Sequence, residues 1–337
     1  MSQHEENDKG QRNVGPWLGL VVLLMLVLIF VLPLVRQYRT VKWVEAQGGE
    51  VSTLSNWKTA HLPSGATEWL WEKGVLPALE TVQGVNFVWG GAQVSDGDLV
   101  RLKGLTAIEE LAFEDTQVSG AGLIHHLKGL TKLRTLYFVG TQVSDTDLVD
   151  LKQFTGLKTL VLNETQVSDA GLVHLKGLTG LKTLSLNHTQ VSDTGLVHLK
   201  GLTAMEDLSL WNTQVSDAGL VHLKGLTAME HLQLSFTQVG DTGLAHLKGL
   251  TALEILHVSS TQVSDAGLAH LQGLRAMENL NLRGTKVSDA GLTHLKGLTA
   301  LRSLDLGDNN VSKSGLAELG AALPMLDIDS SPAVQPP

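Results

Sequence analysis

From residue 84 onward the chain repeats one arrangement of apolar and polar positions about every 24 residues. The unit Leu181–Ala204 reads LKTLSLNHTQVSDTGLVHLKGLTA. Its opening, Leu181-x-x-Leu184-x-Leu186, ends in the alternation of a short strand with Leu184 and Leu186 facing inward. Ser192-Asp193 then supplies a helix N-cap signal. Leu196, Leu199 and Leu202 follow at three-residue intervals, the spacing of a short helix or 3₁₀ turn. Gly201 stands where a helix C-cap glycine belongs. Each unit thus predicts a strand, a tight turn and a short helix. Alone it cannot bury its apolar face, so it must stack on its neighbours around one continuous core.

The string TQVSD, or a near copy, marks the register. Its Gln position falls at Gln93, Gln117, Gln142, Gln166, Gln190, Gln214, Gln238, Gln262, Lys286 and Asn310. The spacing is 24 except for a single 25 between Gln117 and Gln142, where His125-His126 stand in place of one residue. Ten units span residues 84–324, and a strand-like stub follows at Met325–Ile328. The expected fold class is α/β: a solenoid with short parallel strands on its concave face and short helices on its convex face.

The pattern L-x-x-L-x-L-x-x-T-x-V resembles a leucine-rich repeat, with Thr where the general pattern has Asn or Cys. The TQVSDAGL half also resembles the repeats of ribonuclease-inhibitor-like proteins and F-box substrate receptors. An apolar segment, then Val41-Lys42-Trp43-Val44-Glu45 and Gly48-Gly49, then repeats, is a layout similar to membrane-anchored bacterial leucine-rich-repeat proteins. The resemblance covers about three quarters of the chain. It implies a fold and leaves function to the surfaces grafted on it.

Trp17 to Val35 carries no charge in nineteen positions. A helix of that length spans about 28 Å, close to a bilayer's hydrocarbon thickness. Trp17 and Tyr38 sit where interfacial aromatics are expected, and Arg36 and Arg39 mark the far edge. A cleaved signal peptide would have a shorter apolar core and a small-residue site close behind it. Residues 17–35 are therefore expected to be a transmembrane helix after a polar tail, 1–16, making the chain a single-pass membrane protein in contact with the lipid bilayer. Lys9 and Arg12 before the segment nearly balance Arg36, Arg39 and Lys42 after it, and the short N-terminal tail tilts the expectation toward an extracytoplasmic solenoid. Residues 36–83, with Trp43, Trp57, Trp69 and Trp71, are expected to cap the solenoid's first end, and 66–72 to be helical. The solenoid proper is placed at 84–328. The Pro-rich tail, 329–337, is expected to be disordered.

Composition narrows the chemistry. The chain of 337 residues has no cysteine and a formal charge of -9. No disulfide, thiolate metal site or cysteine nucleophile is possible, and the acidic balance argues against a nucleic-acid partner. His174, His198, His222, His246, His270 and His294 recur at one repeat position, but stacked helices stand about 8–10 Å apart, too far for neighbouring rings to share a metal. Asp169, Asp193 and Asp217 open their helices and Lys176, Lys200 and Lys224 lie near the ends, each sign favouring its own terminus. Thr165, Thr189, Thr213, Thr237 and Thr261 should form a buried hydroxyl column. No catalytic constellation stands apart from the repeat, so neither an enzyme, a cofactor nor a metal site is expected.

The units differ chiefly at four positions around the strand: Thr183, Ser185, Asn187 and His188 in the unit quoted above. Alternation puts these opposite the buried leucines, on the face that solenoids use for binding. Comparable positions carry Glu110, Glu114, Asp115, Tyr137, Glu164, Asp207, Trp211, His231, Gln233, Phe236, His257, Asn279, Asn281 and Arg283. Trp211, His231, Phe236 and His257 are expected to form one aromatic patch, with Gln233 among them. Glu110, Glu114, Asp115 and Glu164 make the N-terminal half acidic, with Tyr137 beside them. The expected function is a membrane-anchored interaction module binding a protein or peptide on this face, the aromatics anchoring it and the acidic half attracting a basic partner. The alternative is a structural or self-associating envelope protein without a distinct ligand.

Overall fold

The computed structural model describes Met25 and residues 32–54, 81–87, 94–119, 126–127 and 129–331. The chain divides into two compact units, residues 1–43 with 53–82 and residues 44–52 with 83–337. In the first, the helix Leu32–Ala46 begins, and within it the Thr40 hydroxyl donates to the Arg36 carbonyl at 3.0 Å. The boundary expected at residue 36 falls inside that helix. The apolar run 17–35 lies outside the described residues apart from Met25 and the start of the helix. Among the described residues no helix is long and apolar enough to cross a membrane. The expected helix at 66–72, Trp57, Trp69, Trp71 and residues 332–337 also lie outside the described residues.

Twelve strands form one sheet in chain order. They are β1 (Glu50–Leu54), β2 (Thr81–Phe87), β3 (Glu110–Glu114), β4 (Thr135–Val139), β5 (Thr159–Val161), β6 (Thr183–Ser185), β7 (Asp207–Ser209), β8 (His231–Gln233), β9 (Ile255–His257), β10 (Asn279–Asn281), β11 (Ser303–Asp305) and β12 (Asp327–Asp329). From β2 on, every neighbouring pair is parallel, and equivalent repeat positions face each other, Leu184 on Leu208 and Leu208 on Leu232. β1 precedes the repeats and was not expected; residues 36–83 read as capping sequence without a strand.

Behind the sheet most described units return through one turn of α-helix, such as Asp193–Leu196, or a 3₁₀ segment, such as Asp96–Leu102, and the last through the longer helix Lys313–Ala322. Leu181, Leu184, Leu186, Leu196, Leu199 and Leu202 are all fully buried, as their equivalents are in neighbouring units. In the first three units the last strand leucine is replaced by Phe87, Phe113 and Phe138, whose rings stack at 5.6 and 5.9 Å. The glycine expected to cap the helix does not do so. Gly201 is not left-handed, although the equivalent Gly104 and Gly129 are, at φ 97° and 105°; in all three units the next N–H bonds the carbonyl three residues earlier, Leu202 to Leu199 O at 2.9 Å.

Polar ladders fix the stacking. Thr165, Thr189, Thr213, Thr237 and Thr261 are buried, and each hydroxyl donates to the carbonyl three residues earlier at 2.5–2.7 Å. A second ladder joins units. The Asp193 carboxylate accepts from the N–H and hydroxyl of Ser216, at 2.7 and 2.5 Å, one unit further on. Asp145, Asp169, Asp241, Asp265 and Asp289 do the same with Ser168, Ser192, Ser264, Ser288 and Ser312. Asp169, Asp193 and Asp217 stand in the first turn of their helices, as expected, and their carboxylates bind the next unit as well. Asn163 and Asn187 form a third ladder, each side-chain oxygen accepting from a serine hydroxyl and a backbone N–H of the next unit.

Candidate functional site

The four variable positions do not share one environment. The first two lie on the strand, opposite the core leucines as alternation requires, and from β6 to β11 they are half-buried. The last follows the strand, and there the backbone turns left-handed in unit after unit: Asp115 (φ 50°), Glu164 (56°), His188 (53°), Asn212 (53°), Phe236 (58°), Ser260 (52°) and Asp308 (57°), with Gly140 (60°) and Gly284 (65°). From Asp115 to Gly284 this turn lets the N–H of each such residue reach the next unit, as His188 N–H does to Trp211 O at 3.0 Å. Glycine, asparagine, aspartate and serine tolerate the region; a bulky aromatic there is an outlier that costs about 1–3 kcal/mol.

The acidic residues divide accordingly. Glu110, Glu114 and Tyr137, on the adjacent strands β3 and β4, converge on a cavity of about 330 Å³ with Asn86, Ala112, Phe113 and Val139. Burial, then the Glu110 carboxylate beside it, push the Tyr137 hydroxyl above its ordinary value, so it remains a donor. The Asn86 side-chain oxygen is buried there without a partner. Among the described residues neither glutamate has an ion-pair partner. Asp115 and Glu164 stand on the left-handed turns, and Glu164 lines a separate open depression with Gln142, Gln166 and His188.

The predicted aromatic patch splits in two. Trp211 and Phe236 meet edge to face at 6.0 Å, and His188 meets Trp211 the same way at 4.2 Å. Phe236 is 52% exposed. His231 and His257 lie instead on the strands with polar partners. His231 Nδ1 bonds the Asp207 carboxylate, and His257 contacts Gln233 at 3.2 Å and Asn279 at 3.3 Å. Burial holds the His257 imidazole below its usual value. Sequence reasoning missed Asn86 and the role of His188. Both occupy variable repeat positions, so the repeat alignment could have found them. Arg283 is taken up by the last units: its guanidinium clasps Asp305, Asp308 and Asp329.

On the helical side His198 and His246 are held low by burial and then by Lys176 and Lys224 of the preceding units. A cation beside each ring disfavours metal binding there. Among the described residues no group of three or more His, Asp or Glu side chains could hold a metal ion.

A family model described as Leucine Rich repeat matches residues 226–247 and 297–320. No curated protein matches the chain in sequence. Among solved structures, the chain is similar to an internalin of Listeria monocytogenes, with 23% identity over 73% of this chain and 79% of that one and a TM-score of 0.53. It is similar to a leucine-rich-repeat protein of Leptospira interrogans, with 17% identity over 69% of this chain and 62% of that one and a TM-score of 0.51. A Listeria monocytogenes internalin C2 is 27% identical over 55% of this chain and 83% of that one, with a TM-score of 0.45. The repeat body has the leucine-rich-repeat solenoid fold, a fold typical of protein–protein interaction modules. Fold alone names no ligand.

Proposed function

We propose that the sheet face binds a protein or peptide ligand, held by the Trp211–Phe236 edge at one end and the Asn86–Glu110–Glu114–Tyr137 cavity at the other. Phe236 carries the argument. It occupies a left-handed position filled in other units by small or polar residues, and it is half exposed. Its contact with Trp211 returns about 0.5–1.5 kcal/mol against about 1–3 kcal/mol of strain, and strain of this kind collects where function demands it. Exposed aromatics packed edge to face are the usual anchors of an interface. The cavity adds two carboxylates that have no ion-pair partner among the described residues and a phenol donor, a chemistry suited to a lysine or arginine side chain. Three to four strand spacings, about 15–20 Å, separate the two subsites, the reach of about six extended residues.

A displayed random-peptide library panned against the full chain tests this. Peptides combining a basic residue with an apolar one should be enriched. Phe236→Asn, which installs the residue found at Asn212, should lose their capture while melting at a higher temperature, because the left-handed strain is relieved. Equal capture by Phe236→Asn and by Trp211→Ala would overturn the site.

The reading includes anchorage. The apolar run 17–35 would hold the repeat body at a bilayer, on its outer side. The chain has no cysteine, so Ser331→Cys provides one thiol for a membrane-impermeant maleimide. Labelling of intact cells supports an external solenoid; labelling only after lysis reverses the orientation.

A further inference from the structure

The residue immediately before each of the strands β3 to β11 departs from the near-identity of the units in a regular way. In successive units it is Glu109, Arg134, Lys158, Lys182, Glu206, Glu230, Glu254, Glu278 and Arg302. The backbone of this row is a continuous hydrogen-bond ladder. Arg134 N–H donates to Glu109 O, Lys158 to Arg134, and so on to Arg302 on Glu278, all at 2.7–2.8 Å. Adjacent members are therefore fixed at the strand spacing, about 4.8 Å. Every member is exposed or half-buried.

The signs are antisymmetric about Glu206. Lys182 mirrors Glu230, Lys158 mirrors Glu254, Arg134 mirrors Glu278, and Glu109 mirrors Arg302. Within one chain this arrangement is unfavourable, since Glu206, Glu230, Glu254 and Glu278 stand on consecutive strands and like charges side by side repel. Among the described residues the row contains one ion pair, Lys182 with Glu206 at 2.6 Å. Arg134 and Lys158 reach only the carbonyls of Gly156 and Gly180, at 3.3 and 3.0 Å.

We propose that this row is a self-complementary interface through which two copies of the chain associate antiparallel about a two-fold axis at Glu206. An isologous contact requires that residue i of one copy meet residue j of the other and the reverse. Antisymmetry of charge is what that demand looks like in one sequence. Lys182, Lys158, Arg134 and Glu109 of each copy then face Glu230, Glu254, Glu278 and Arg302 of the other. Like meets like only on the axis, at Glu206, which Lys182 of its own chain already neutralises. Exposed pairs are individually weak, but a row held in register by a rigid ladder adds them without ordering the backbone anew. The row lies at the start of the strands and uses none of the peptide site's residues, so neither reading depends on the other.

Sedimentation of the full chain in neutral detergent tests the proposal. A monomer–dimer equilibrium should appear with rising concentration and weaken in high salt. Lys158→Glu and Glu254→Lys should each, alone, weaken association by about tenfold or more, since each puts like charges together twice. Mixed in equal amounts, the two variants should associate as strongly as the unaltered chain, because both contacts in the mixed dimer are again opposite in sign. Recovery on mixing also shows that both variants fold. Mixing Lys158→Glu with Glu230→Lys, which is out of register, should stay weak. A monomer at every concentration in low salt, a salt-insensitive dimer, a mixture that stays weak, or equal recovery in the wrong register overturns the interface.

Discussion

Thr213 and Thr141 occupy the same repeat position, are both buried, and should respond oppositely to the same substitution. The Thr213 hydroxyl donates to Leu210 O at 2.7 Å. The Thr141 and Thr116 hydroxyls are buried without a partner. Those two follow the five-residue strands β3 and β4, where the ladder extends two residues further and Phe113 and Phe138 remain in register with each other. Valine keeps the shape and removes the hydroxyl. Thr213→Val should cost about 1–3 kcal/mol, because it strands a buried carbonyl, while Thr141→Val should be neutral or stabilising. Denaturation midpoints of the two variants decide it, and equal losses would show that the hydroxyl contributes only through its shape. The threonine column itself was legible from repetition. Its failure in two units was not, because that depends on strand length, which the apolar pattern leaves loose.

At the scale of the short helix, the Asp–Ser bridge explains a glycine. A Cβ on Gly219 would stand 2.5 Å from Asp193 Oδ1, 3.0 Å from Leu196 Cδ1 and 3.1 Å from Asp193 Cα. Gly171, Gly195, Gly243, Gly267 and Gly291 meet the same obstruction. Gly219→Ala should therefore cost about 1–3 kcal/mol through overpacking. Gly225→Ala, where nothing lies within 4 Å and φ is not left-handed, should be neutral or stabilising. A thermal melt of each variant separates them. The bridge also sets a pH dependence. Burial alone would raise the Asp169 carboxyl, but the hydroxyls of Ser192 and Thr194 and the N–H groups of Ser192 and Gly195 outweigh it and hold the group low. Asp289 is held low by the hydroxyl and N–H of Ser312. A carboxyl depressed in the folded state stabilises fully above its unfolded value, about 4, and that stability is lost as pH falls through the folded value. His198, His246 and His257 are held low as well, so stability should decline in two steps as pH falls, a first below about pH 6.5 from these histidines and a second below about pH 4 from the aspartates. Replacing the three histidines with Gln should remove the first step and leave the second; loss of the second step with them would take the dependence away from the aspartates. Sequence alone placed these aspartates at the start of their helices and did not show the bridge to the next unit. A helix-end charge and a bridge to the next unit share the same one-dimensional pattern.

For the whole repeat body, strand register, buried leucines and unit length were all readable, since a repeat states its own structure many times over. The binding face was readable only as a set of variable positions, because which variable residues meet depends on the left-handed turn that separates Phe236 from His231. Arg283 shows the same limit at the C-terminal end. It reads as one more variable residue, yet its guanidinium bonds Asp305 at 3.0 Å, Asp308 at 3.3 Å, Asp329 at 3.0 Å and Ser331 O at 3.1 Å. Four groups of the last units converge on one cation, and among the described residues no strand follows β12 in the sheet. Arg283→Ala leaves three carboxylates facing one another at the open end of the sheet. The amides that join β12 to the body, Leu306 to Asp329 O and Asp327 to Arg302 O, should then exchange with solvent about fivefold faster or more. The Leu210 amide, in mid-solenoid, should keep its rate, because opening in a stacked array begins at the end that lacks a neighbour. Uniform acceleration along the chain would mean that Arg283 stabilises the array as a whole rather than closing its last strand.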